Sequence, residues 1–404
     1  MSDSIIREII IHSPDELAQE FSSINVDPDG IGIMAPKAFL HILRLRELKS
    51  PAANILKQEM LSAGGECATS RSVILGDPEP QDAILIGTRR QLTNLSSKIK
   101  SQPFGLRRAA KGIDDFLRQV GISGAGPHPM LQMLDGETGH YPLIMGILNV
   151  TPDSFSDGDH FLDGDDAIRH GLKMLNQGAE VIDVGGESTR PGSDPVAEDE
   201  ELRRVLPVIA GLREETERPI SIDTMKSGVA KEALQAGATL VNDVSAGRHD
   251  PHIMEVVAET GCPYVLMHMQ GMPKTMQENP HYDNLLDEMH RFFNERIKSA
   301  VEAGIAEENI ILDPGIGFGK RKSDNYEILR RLGEFRIFGH PIMVGVSRKS
   351  LLMNELGATP QERLEETIAA GTIAMANGAD IIRVHDIIPA LKSRTIIQRV
   401  LGRS

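Results

Sequence analysis

From Leu143 to the C-terminus the chain repeats one pattern eight times: a short apolar run, a polar loop, then an amphipathic stretch of helical period. The apolar runs are Leu143–Leu148, Val181–Val184, Ile220–Ile222, Leu240–Asn242, Tyr264–Met267, Ile310–Leu312, Ile342–Val346 and Ile381–Val384. Runs this short and this apolar fit strands buried on both faces, as in a parallel sheet covered by helices. Helical stretches such as Asp165–Asn176, Glu200–Glu215, Asn284–Ala303 and Leu364–Ala376 separate them. Eight strand–helix units in about 260 residues is the size and alternation of a (β/α)8 barrel. An open doubly wound sheet is the alternative. Polar residues ending nearly every strand favour closure, since only a closed sheet gathers them at one rim. The predicted fold class is therefore α/β: a (β/α)8 TIM barrel over residues 130–404, a linker over 122–129, and a smaller N-terminal α/β domain over 1–121.

In that first segment, Ile5–Ile11, Val73–Leu75 and Ala83–Gly87 read as strands. Ser13 with Pro14 and Glu16 caps one helix, Ser50-Pro51 opens another, and Phe104–Val120 makes a third that Gly121 stops. Gly121–Pro129 is rich in Gly and Pro, which places the linker there. Met130–Leu134, Asp135-Gly136 and His140–Leu143 suggest a hairpin just before the barrel.

Composition narrows the partners. The net charge is −15 and no long Lys/Arg cluster occurs, which argues against nucleic acid or an anionic membrane as the main partner. No window approaches a transmembrane span, and the N-terminus lacks a basic segment followed by a long apolar one. A soluble cytoplasmic protein acting on small molecules, with a homodimeric assembly, is expected. The two cysteines, Cys67 and Cys262, have no motif spacing and read as reduced buried thiols.

A barrel binds ligands where its strands end. Those positions hold Asn149; Glu187 with Thr189 and Arg190; Asp223; Asn242; His268; Asp313; Ser347 with Arg348 and Lys349; and Arg383 with His385. Each alone has a plain structural reading; Asp223 and Asp313 are ordinary candidates for helix and turn caps. Caps do not, however, require Asp, Asn, Lys, Arg and His at successive strand ends. The set divides by chemistry. Asp223, Asn242, Asp313 and Lys349 suit a flat heterocycle with donors and acceptors along its edge. Asn149, Thr189, Arg190, Arg383 and His385 suit phosphate oxygens, or Asn149 instead ligates Mg2+ through its amide oxygen. The glycine-rich run Asp313–Lys320 lacks the P-loop spacing. It fits close backbone approach to a planar ligand beside Phe318, or an ordinary tight turn. Two long polar loops, Thr151–Asp163 and Ser188–Glu198, are expected to act as lids over a second substrate, with Phe155 as an apolar contact.

Eight segments, in order, resemble the dihydropteroate synthase family of folate synthesis. They are Met145–Gly158, Asp183–Gly192, Ser221–Thr224, Asn242-Asp243, Leu266–Gly271, Leu312–Lys320, Gly345–Ser350 and Arg383–Asp386. The first two are long and highly specific. Ile316 departs from the Phe common at its position, and Asp159 from a usual Gly. The resemblance implies a transferase that joins 6-hydroxymethyl-7,8-dihydropterin diphosphate to p-aminobenzoate with Mg2+ assistance. It implies pterin binding by Asp223, Asn242, Asp313, Phe318 and Lys349. Diphosphate binding falls on Asn149, Thr189, Arg383 and His385, with Asn149 also touching the metal. Contacts to p-aminobenzoate fall on Phe155, Thr189, Arg190, Pro191, Lys349 and Ser350. Asp157 matches a position that steadies the cationic intermediate, so the catalytic set is Asp157, Asp223, Lys349, Arg383 and His385. Competing readings are a pterin-dependent methyltransferase serving a corrinoid protein, which needs no diphosphate site, and a non-catalytic pterin-binding module. The first 120 residues lie outside the family core and carry no assigned chemistry.

Overall fold

The computed structural model describes residues 7–11, 13–122, 128–135, 139, 141–151, 164–189, 192–349 and 363–401. The chain divides into two compact units, Met1–Gly126 and Pro127–Ser404.

The first unit holds an antiparallel sheet of β1 (Leu40–Leu48), β2 (Glu66–Thr69) and β3 (Gln81–Thr88) in the order β1-β3-β2. Helices Ser50–Ser62, Arg89–Ile99 and Leu106–Ile122 supply the other half of its core, which includes Leu56, Met60, Leu85, Leu92, Leu95 and Leu106. Several expectations are corrected here. Val73 lies in a short helix, Arg71–Ile74, because Ser70 Oγ accepts from the Ser72 N–H and caps a turn. Only Val73 of that apolar run is buried; Ile74 and Leu75 are 72% and 80% exposed. Residues 7–11 carry no regular structure, so the described part of Ile5–Ile11 is not a strand. The third helix continues through Gly121 to Ile122, since a glycine lowers helix propensity without ending a helix by itself.

The second unit contains β4 (Leu143–Asn149), β5 (Val181–Gly185), β6 (Ile220–Asp223), β7 (Leu240–Asp243), β8 (Tyr264–Met267), β9 (Ile310–Asp313), β10 (Met343–Gly345) and β11 (Ile381–Val384). All are parallel, ordered β10-β11-β4-β5-β6-β7-β8-β9. A parallel bridge between Leu312 and Ile342 joins β9 to β10 and closes the barrel. A helix follows every strand, from Gly164–Asn176 after β4 to Ile387–Leu401 after β11.

Side chains two apart on a strand face the same side. Met145, Val181, Leu240, Val265, Ile311, Met343 and Ile381 form one buried layer inside the barrel, distinct from the larger core under the helices. One step further up are Asp183, Asn242, Met267, Asp313, Gly345 and Arg383, so the interior changes from apolar to polar within a single repeat of the pleat. The segment expected as a hairpin is a helix, Pro129–Asp135. Its Met130, Leu131 and Leu134 pack on the apolar layer. They sit on one helical face that a hairpin's alternation would have split between two.

Candidate active site

The polar layer is held in register by the sheet. Asn149 pairs with Gly185, Gly185 with Asp223, and Asp223 with Asn242, across β4 to β7. Gly185 has no side chain to separate its neighbours. A β-carbon there would lie 3.7 Å from Asn149 Oδ1 and 3.8 Å from Asp223 Oδ2. On the other side of the mouth Gly345 pairs with Arg383. A β-carbon on Gly345 would lie 3.9 Å from both Arg383 Cβ and Lys349 Nζ.

Arg383 joins the two halves. Its Nε donates to Asp183 Oδ2 at 2.5 Å and its Nη2 to Asp223 Oδ2 at 2.6 Å. Asn242 Nδ2 donates to the same Asp183 oxygen at 3.0 Å. Asp183 Oδ1, Asp223 Oδ1, Asn242 Oδ1 and Ser221 Oγ are buried and have no hydrogen-bond partner. Buried acceptors left open cost free energy, and those of Asp223 and Asn242, at the ends of their strands, mark where a ligand with donors fits.

Titration follows from this crowding. Burial pushes the Asp223 carboxyl up; Arg383 pulls it back and Asp183 adds to the rise, leaving it at about 7. Burial likewise raises Asp313 against the pull of Lys349 and the Gly315 N–H. The Lys349 ammonium is lowered to about 8 by burial, opposed by Asp313 and reinforced by Arg383. Burial disfavours the charge on Arg383, but Asp183 and Asp223 outweigh it and hold the guanidinium above its ordinary pKa. Shifted acids and bases packed at one mouth are characteristic of functional sites.

The loop after β9 shapes the other wall. Asp313 Oδ1 accepts from the Gly315 N–H at 2.7 Å. Lys320 is buried and donates to the carbonyls of His268, Gly315 and Phe318 at 3.0, 2.9 and 3.0 Å. Those three bonds fold the glycine-rich run back on itself and leave Phe318 against Met225, Val244, Met267, Met269 and Met276. Lys349 Nζ lies 4.7 Å over the Phe318 ring and donates to the Ile316 carbonyl. Methionines make an adaptable apolar floor beside a planar ring.

The remaining expected residues divide. His385 sits at the end of β11, with Nδ1 3.0 Å from Ser347 Oγ. Arg348 turns aside to bind both oxygens of Asp386 at 3.1 and 2.7 Å, and it adopts a positive φ of 57°. His268 packs edge-on against Phe292 at 4.8 Å. Burial, with Lys320 and Arg248 nearby, holds it neutral, so it is part of the wall. Thr189 is half-buried in the loop after β5. Phe155, Asp157, Arg190, Pro191 and Ser350 lie outside the described residues, as do most of the first lid loop and part of the second. The sequence reading overlooked Asp183 as a site residue. Its signal was parity: it lies two positions beyond Val181, a charge facing inward on a fully buried strand.

Among the described residues no group of three or more His, Cys, Asp or Glu is arranged to hold a metal ion. None of their helices is long and apolar enough to cross a membrane.

The barrel with its polar mouth defines a small-molecule enzyme of the α/β class, and comparison with known proteins narrows it. The chain belongs to the pterin binding enzyme family, whose model matches residues 145–385. It is 48% identical over 262 residues to the dihydropteroate synthase of Escherichia coli, covering 65% of this chain and 93% of that protein. It is similar to the structure of Xanthomonas albilineans dihydropteroate synthase with 4-aminobenzoic acid, at 43% identity and a TM-score of 0.61, over 64% of this chain and 93% of that one. A probable bifunctional folylpolyglutamate synthase/dihydropteroate synthase of Haloferax volcanii is 41% identical over 343 residues, 83% of this chain and 40% of that protein. That match is longer than the second unit alone, so it extends into the first.

Proposed function

We infer that the protein is a dihydropteroate synthase: it condenses 6-hydroxymethyl-7,8-dihydropterin diphosphate with p-aminobenzoate, giving 7,8-dihydropteroate and pyrophosphate. The observation that carries this reading is the convergence of Asp223, Asn242, Asp313, Lys349 and Arg383 on one mouth that retains open buried acceptors.

The bicyclic ring lies on Phe318 and the methionine floor. Asp223, Asn242 and Asp313 take its N–H groups, and Lys349 donates to an acceptor on its edge. Asn149, Thr189, Arg383 and His385 face the diphosphate. The bond from the exocyclic methylene to the diphosphate oxygen breaks, and its electron pair leaves with pyrophosphate. Arg383 and His385 offset that negative charge. The methylene cation is delocalised into the electron-rich reduced ring, with Asp223, Asp313 and Asp157 stabilising it. With p-aminobenzoate held by Phe155, Thr189, Arg190, Pro191, Lys349 and Ser350, its amine nitrogen forms the new C–N bond. The resulting arylammonium is acidic and releases its proton to solvent, so no strong base is required.

The donor set also fits Mg2+. Asn149 offers a single amide oxygen, which suits an ion that takes its other ligands from phosphate and water. When bound there, Mg2+ supplies Lewis-acid stabilisation of the departing diphosphate. The homodimer expected from the sequence is supported by exposed Ile373, Ile388, Ile396 and Val400 on the outer helices Leu364–Ala376 and Ile387–Leu401, and the cytoplasm suits such a soluble enzyme.

The test is pyrophosphate release with and without p-aminobenzoate, with the organic product identified by mass spectrometry. Release that requires p-aminobenzoate and yields dihydropteroate is expected. Turnover without it, or binding with no turnover, would overturn the reading.

A further inference from the structure

Asp183 stands apart from the residues that face a ligand. It is completely buried on β5, flanked in register by Ile147 of β4 and Ser221 of β6. One of its oxygens, Oδ2, accepts from both Asn242 Nδ2 and Arg383 Nε. We propose that Asp183 is the positioning residue that sets the polarity of ligand recognition, by fixing Asn242 with its carbonyl oxygen toward the ligand and by aiming Arg383. This rests on the pterin-binding reading above.

The two ends of an asparagine amide are nearly equal in shape, so only a partner that discriminates donor from acceptor decides which end points where. An ionised carboxylate is acceptor-only. Turning the Asn242 amide over would set its oxygen against Asp183 Oδ2, with two acceptors facing each other and no proton between them. Asp183 therefore holds Nδ2 and leaves Asn242 Oδ1 open and buried, as is Oδ1 of Asp223, the residue paired with Asn242 in register. Two buried acceptors on paired residues select a ligand edge that carries N–H donors and reject one that presents carbonyl oxygens, because a buried unpaired acceptor is costly. The same Asp183 oxygen fixes the guanidinium through Nε, so that Nη2 reaches Asp223. Asp183 thus ties the ring-recognition half of the mouth to its cation without touching the ligand.

The experiment compares Asp183→Ala, Asp183→Asn, Asn242→Ala and the Asp183→Ala/Asn242→Ala double variant. It measures binding of 6-hydroxymethyl-7,8-dihydropterin by calorimetry and KM for each substrate. Asp183→Ala is expected to weaken pterin binding at least tenfold and raise KM for the pterin diphosphate, leaving KM for p-aminobenzoate within twofold. Asp183→Asn retains an acceptor oxygen and should recover part of the loss. In the Asn242→Ala background the same substitution should cost less than threefold, since residues acting through one another are non-additive. An equal penalty in both backgrounds, or none in either, overturns the proposal. Should Asp183→Ala fail to fold, selective 15N-asparagine labelling of the wild-type protein reads the contact directly. A slowly exchanging Asn242 side-chain amide supports it, and a freely exchanging one overturns it. Absence of pterin binding by the wild-type protein itself would instead overturn the functional reading and this inference with it.

Discussion

A methyl group added at Gly315 has no room. Its β-carbon would lie 2.0 Å from the His268 carbonyl oxygen, 3.1 Å from that carbonyl carbon and 3.2 Å from Met267 Cγ. The two nearest obstructing atoms are backbone of His268, just after β8, so no rotamer change relieves them. To regain ordinary contact, His268 or Gly315 must move by roughly 1.4 Å in a tightly packed interior. That carbonyl accepts from Lys320, and the His268 N–H donates to the Asp313 carbonyl at 2.9 Å. Losing one of these leaves a buried group unpaired, at about 1–3 kcal/mol. Gly315 also has φ of 65°, a left-handed conformation that costs an L-residue about 1–2 kcal/mol. Together Gly315→Ala should destabilise the barrel by about 2–5 kcal/mol. Gly261→Ala is the matched control: φ is 68° and nothing lies within 4 Å of its β-carbon, so it should cost only the ~1–2 kcal/mol of backbone strain. At ~2–4 °C per kcal/mol for a domain of this size, thermal melts should separate the two variants by at least ~2 °C. The displacement also shifts Asp313, and a misplacement near 1 Å costs about 10²-fold in turnover. Pyrophosphate release at a temperature where both variants are folded should show that loss for Gly315→Ala and near-normal rates for Gly261→Ala. Equal melting temperatures with equal activities would refute the steric argument.

Other perturbations follow from the same geometry. Arg383→Ala removes the cation proposed to face the leaving diphosphate, and steady-state kinetics should show kcat lowered by about 10²–10³; near-normal turnover counts against that role. The kcat/KM profile for the pterin diphosphate should be bell-shaped. Asp223 gains its proton as pH falls through about 7 and no longer serves as the ionised partner of Arg383; Lys349 loses its charge as pH rises through about 8. Replacing Lys349 with Arg should move the alkaline limb upward, and a flat profile would contradict both assignments. Lys320→Met strips the His268 and Phe318 carbonyls of a donor, each worth about 1–3 kcal/mol, while the Gly315 carbonyl keeps the Phe318 N–H; removing a buried amine whose charge burial disfavours offsets part of this. A net loss of at least ~1 kcal/mol by denaturant titration is expected. Asn149→Ala should raise the Mg2+ concentration needed for half-maximal turnover, leaving binding of a pterin without diphosphate unchanged in calorimetry.

The barrel strands were legible because a strand buried on both faces must be apolar throughout, and each ends where polar residues begin. Leu143–Leu148 and Tyr264–Met267 are of this kind. The first unit was less so. β1, Leu40–Leu48, mixes leucines with His41, Arg44 and Arg46 and is only partly buried, so no clean period marks it. Val73-Ile-Leu is apolar without being a strand, since local capping by Ser70 outweighs β-propensity. Pro129–Asp135 was misread because its apolar residues answer to the barrel interior, a surface that exists only once eight strands have closed.

Sequence alone determined the alternation of elements and the placing of Asp223, Asn242, Asp313 and Arg383 at strand ends, since period-two geometry and burial are local consequences of residue order. Only the tertiary structure decided which of their atoms meet. Arg383 finds Asp183 across 200 positions of sequence, through strand register and closure. The donor, acceptor and protonation state of each group then depend on neighbours that no local pattern specifies.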